Sequence, residues 1–79
     1  MKITNIPQAD PNWVVLEGSI AGCPAVTQRR SIHAGALADG QTTIATEVAA
    51  LTQAVEKAYR NWTAAQIAIA ALSQFETPN

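Results

Sequence analysis

Cys23 and His33 are the only thiol and the only imidazole in this chain of 79 residues, so nucleophilic or transition-metal chemistry would have to start from them. A thiol attacks as its thiolate, which needs a neighbouring base or positive charge. Cys23 stands before Pro24 in a turn, and His33 follows about ten residues later at the end of a strand-like run. A hairpin register could bring the two together, but the plainer reading is a turn cysteine and a surface or interfacial histidine. One cysteine leaves no internal disulfide, and one Cys with one His falls short of the four ligands of a structural zinc site.

The acidic residues Asp10, Glu17, Asp39, Glu47, Glu56 and Glu76 are scattered, with no close pair for general acid-base hydrolysis and no calcium-loop spacing. Residues 35–40 hold two glycines but neither the spacing nor the lysine of a phosphate loop. No catalytic residue, cofactor or metal is therefore expected, and the chain reads as a non-enzyme. Arg29 and Arg30 are the one adjacent basic pair. On a strand they point to opposite faces, so they form no patch. Ordinary solvation is the favoured reading, and a charge-assisted contact to a partner carboxylate is the other.

Five Lys or Arg against six Asp or Glu give a net charge of -1, which provides no field to hold a phosphate backbone. Nucleic acid is not an expected partner. The opening residues MKITNIPQADPN lack the apolar core of a secretory signal. The most apolar stretch, residues 64–72, is too short and too alanine-rich to span a bilayer. A soluble protein is expected, cytoplasmic or built into a virion, with no membrane partner.

The elements that position these residues divide near Gly40, before which lie all four glycines and three of the four prolines. The expected organisation is one domain over residues 1–79: a β-rich head (1–40), a long helix (41–76) and a tail (77–79). Residues 13–20 are dense in β-branched and aromatic side chains and read as a strand; residues 25–33 read as a second, and residues 2–6 as a short third stopped by Pro7. Alternation puts Val14, Leu16 and Ile20 on one face of the first strand, and Trp13, Val15, Glu17 and Ser19 on the other. Residues 35–41 read as a connecting loop. Thr42 or Thr43 then caps the helix, Glu47 lies near its positive end, and Glu56 with Arg60 forms an i,i+4 pair.

Along the helix the apolar positions Ile44, Val48, Leu51, Val55, Ala58, Trp62, Ala65, Ile69 and Leu72 alternate spacings of four and three, uninterrupted by proline or glycine. This is a heptad seam. At 1.5 Å per residue such a helix is about 50 Å long, roughly twice the width of a compact domain of this size. Part of it must project. A lone core of this size supplies little stability, and no disulfide or metal is at hand, so oligomerisation or docking on a larger partner is the remaining device.

The expected interface is therefore Ile44, Val48, Leu51, Val55, Trp62, Ile69 and Leu72, with Trp62 as the anchor. β-branched residues in one seam class and leucine in the other favour a parallel two-stranded coil. Small flanking residues point instead to bundles of three or more. Ala64, Ile67, Ala70 and Ala71 make the back of the helix apolar as well, as in a segment buried all round. Thr63 and Gln66 have capping-box spacing, so a break near Asn61 and a helical hairpin form the alternative to an unbroken helix.

The expected fold class is α+β: a small antiparallel hairpin or sheet of two to three strands followed by one long C-terminal helix with a coiled-coil-like seam. In style, a short β head joined to an Ala/Thr-rich helix such as TTIATEVAAL (residues 42–51) resembles the small accessory proteins of tailed bacteriophages. The resemblance rests on architecture and composition and covers no motif. It implies a homo-oligomeric virion component whose partners are itself and a larger protein assembly. The alternative is a small phage-encoded inhibitor or adaptor that acts by protein-protein binding, for example by blocking a host defence complex.

Overall fold

The computed structural model describes residues 1–75, in which three antiparallel strands in the order β1-β2-β3 are followed by a long helix. The strands are β1 (Lys2–Ile6), β2 (Trp13–Ser19) and β3 (Gln28–His33); a short helix α1 (Ala34–Ala38) precedes the long α2 (Ile44–Leu72), which ends in a 3-10 turn at Ser73–Phe75. The fold is the α+β arrangement expected. The tail expected at residues 77–79 and the last helical residue expected, Glu76, lie outside the described residues.

The central strand pairs Ile6 with Val15 on one side and Glu17 with Arg29 on the other. Strand β3 starts at Gln28, three residues later than the expected 25, because Pro24–Val26 wind into a 3-10 turn. The fixed φ of proline suits the first position of such a turn. Its effect is to swing Val26 fully inside. The stretch expected to be a loop holds α1, whose alanines and leucine favour helix. His33 accepts a hydrogen bond on Nδ1 from the Gly35 N–H at 3.0 Å, and Gly40 closes the far end at φ +74°.

Thr43 caps α2 by accepting from the Thr46 N–H at 3.2 Å. The helix then runs without a break past Asn61, so the helical hairpin is not formed. Its first half lies across one face of the sheet. Leu51 and Val55 are buried there against Leu16 and Ile32 of the strands and Cys23 and Val26 of the β2–β3 connection, with Ile3, Val14, Ile20, Leu37, Val48 and Ala58 at the margin. Leu16, Val14 and Ile20 share this face, as alternation requires. Each fully buried Val, Leu or Ile side chain contributes about 1.5–3 kcal/mol relative to exposure.

Gly18 lets the helix come this close, since a Cβ built on it would lie 2.8 Å from Val55 Cγ2 and 3.3 Å from Leu51 Cγ. This contact also orients α2. Glu47 in its first turn meets Arg30, and Val55 two turns on meets Gly18, so the helix leaves the sheet at the end where β2 turns into β3. Ala58 is the last helix residue packed against this core, nearly all residues after it are exposed, and the molecule measures 63 × 23 × 17 Å. Its radius of gyration of 17.8 Å compares with about 12 Å for a compact domain of this length.

Candidate interaction surface

Residues 59–75 form the projecting arm, and their side chains are unusual for a surface in water. Arg60 is the one charged residue among them. The exposed fractions are 37% for Trp62, 66% for Ile67, 61% for Ile69, 59% for Leu72 and 79% for Phe75. Monomeric soluble proteins rarely leave large apolar patches open, which makes the arm the candidate interaction surface. Tyr59 and Trp62 stack on one another, with ring centroids 6.3 Å apart and planes 26° from parallel, which pre-orders the two largest side chains at the base of the arm.

The heptad seam is thereby divided. Leu51 and Val55 are covered by the chain's own sheet, Val48 and Ala58 sit at the margin of that core, and Ile44 is exposed at the first turn. Trp62, Ile69 and Leu72 carry the same stripe on into solvent. Of the seven residues expected at an interface, Leu51 and Val55 are thus already consumed inside one copy.

Cys23 and His33 are not brought together. Cys23 is buried in the core at the end of the sheet that the helix leaves, and His33 lies at the opposite end of β3, its ring edge-on to Trp13 at 5.1 Å. Six strand residues separate those ends, on the order of 20 Å. No pocket and no cluster of three or more His, Cys, Asp or Glu is formed among the described residues.

Both arginines of the adjacent pair stay exposed, as expected of solvated side chains, and each also has a carboxylate partner within the chain. Arg29 Nε donates to Glu17 Oε2 at 2.8 Å across the outer face of the hairpin. Arg30, on the opposite face, donates to Glu47 Oε2, while Thr42 Oγ1 donates to Glu47 Oε1 at 2.7 Å. The Arg30 hydrogen bond, and then that of Thr42, hold the Glu47 carboxyl below the usual carboxylate range. These contacts latch the start of α2 onto β3. The Glu56–Arg60 pair is absent from the ion pairs among the described residues.

The Glu17–Arg29 pair was within reach of the sequence, because the two residues are equidistant from Cys23 at the hairpin turn. Arg30 with Glu47 joins a strand to a helix 17 residues away, and no local pattern announces it. No family model, curated protein or solved structure matches this chain. Within the described residues no helix is long and apolar enough to cross a membrane.

Proposed function

We propose that this chain is a structural building block that self-associates through the projecting arm of α2. The observation that carries the reading is the arm itself: a run of exposed apolar side chains from Tyr59 to Phe75, with one charge among them, that the described residues leave open. Covering such side chains is worth about 25 cal/mol for each Å² removed from water. The arm is apolar on its back as well, at Ala64, Ile67 and Ala71, so contacts can extend beyond one pair. The β head stays outside the helical contact, free to dock on a larger neighbour. The resemblance in style to small accessory proteins of tailed bacteriophages supports a virion as the setting.

Sedimentation equilibrium of the purified chain over a wide concentration range tests the proposal. The chain is expected to exceed its single-copy mass of 8.3 kDa, and Trp62→Glu and Ile69→Glu are each expected to return it to that mass with an unchanged helical spectrum. A parent chain that stays at single-copy mass throughout overturns the proposal and favours an arm made for a heterologous target, as in an inhibitor.

A further inference from the structure

Resting on that reading, we infer that the arm's occupant is a second copy of this chain laid antiparallel, in a register that sets Trp62 against Leu72 and Ala65 against Ile69. The first argument is steric. Successive residues of a helix turn by 100°, so Trp62 and Ile69 lie within about 40° of the direction of Leu51 and Val55. The open stripe therefore faces the side already occupied by the sheet.

Two such helices run parallel would bring both sheets into one gap, whereas packed helices stand only about 8–10 Å apart. The gap cannot hold them. The parallel coil that the seam's side-chain shapes favour is thus closed to this chain. Run antiparallel, each head sits over its own helix at opposite ends, and the partner's arm continues the layer where the sheet stops.

The second argument is complementarity. Paired so that residue numbers sum to 134, Trp62 meets Leu72, Ala65 meets Ile69, and Phe75 comes level with Tyr59, the first residue beyond the sheet. The small Ala65 faces a large side chain, and the arm's described length fills the open strip from end to end. A parallel register would set Trp62 against its own copy and leave Ala65 opposite Ala65, a bulge beside a gap.

The third is area. Taking about 200 Å² for a large side chain, the exposed parts of Tyr59, Trp62, Ile69, Leu72 and Phe75 come to at most roughly 1,100 Å² over two copies. That ceiling is of the order of the roughly 1,000 Å² expected of a specific interface.

Nitroxide labels at Arg60→Cys and at Gln74→Cys, in a Cys23→Ala background, separate the orientations by dipolar electron spin resonance. In the antiparallel register each label lies about 21 Å along the axis from its own counterpart, while 60 and 74 of different copies are level. Mixing the two labelled chains is then expected to add a distance shorter than either chain shows alone. A mixture that adds a longer distance overturns the antiparallel arrangement and leaves self-association standing. Absence of any intermolecular distance, with single-copy mass in sedimentation, overturns both. Should Cys23→Ala unfold the head, the same labels on the native chain serve, because the Cys23 thiol is buried.

Discussion

Gly18→Ala tests how closely the helix approaches the sheet. The added methyl would stand 2.8 Å from Val55 Cγ2 and 3.3 Å from both Ile3 Cδ1 and Leu51 Cγ. Carbon atoms prefer about 3.5–4.0 Å, so Val55 or the helix axis must withdraw by roughly 0.7–1.2 Å. Val55 is β-branched and fully buried, so it has little rotamer freedom with which to yield. Overpacking of this kind costs about 1–3 kcal/mol. Gly18 is not among the residues with positive φ, so alanine also returns about 0.4–1 kcal/mol through the unfolded chain. At mid-range, about 2 less about 0.7, the net expectation is a loss of about 1.3 kcal/mol. In a domain of this size that lowers Tm by about 5–10 °C.

Thermal and urea unfolding followed by circular dichroism read the change, and a double-mutant cycle with Val55→Ala identifies its cause. With Val55 cut back the clash is relieved, so the penalty of Gly18→Ala should shrink or vanish in that background. A Gly18→Ala chain as stable as the parent, or a penalty unchanged beside Val55→Ala, refutes the claim that glycine sets the helix-to-sheet distance.

Glu47 is expected to govern part of the acid response. Its folded carboxyl titrates below the ordinary value of 4.5, so the unfolded chain takes up the proton first as pH falls; the cluster's contribution is intact above 4.5 and is lost as pH falls through the folded value. Glu47→Gln should therefore lose less stability than the parent between neutral and acidic pH, and an equal acid loss in both chains would contradict the latch. Thr43→Ala, which removes the α2 cap, should cost about 1 kcal/mol in urea unfolding; no change would mean the first turn does not depend on that hydroxyl. Leu51→Ala should cost about 2–5 kcal/mol, while Ile67→Ala should leave the unfolding of a dilute single copy within about 0.5 kcal/mol. Equal effects at the two positions would place the arm inside the core.

The strands and the long helix were legible because each is written in local chemistry: β-branched density in residues 13–20, and an unbroken four-and-three spacing after Thr43. Residues 34–38 were not, since Gly35 and Gly40 bracket them like a loop and the cap that holds them is a histidine ring. Gly18 carried no signal either. Its role exists only once α2 lies across the sheet, and the same holds for Arg30 with Glu47. Which part of the stripe the chain covers itself was not legible, because a heptad reveals that a stripe must be covered but not by what.

That ambiguity has a physical root. One stripe on one helix packs on the chain's own sheet through Leu51 and Val55 and continues exposed through Trp62, Ile69 and Leu72, where the proposed self-association would cover it. Hydrophobic burial is non-directional and does not distinguish an intramolecular cover from an intermolecular one, so the sequence repeats the same residue types through both. What separates them is the length of the sheet. The head covers the helix only as far as Ala58, where the β2–β3 connection turns back. The rigid continuity of α2 ties the two contacts together, because a helix loosened from the sheet at Leu51 no longer holds its arm at a fixed angle to the head. Substitutions in the head core should therefore weaken association along with folding, whereas substitutions in the arm should weaken association alone.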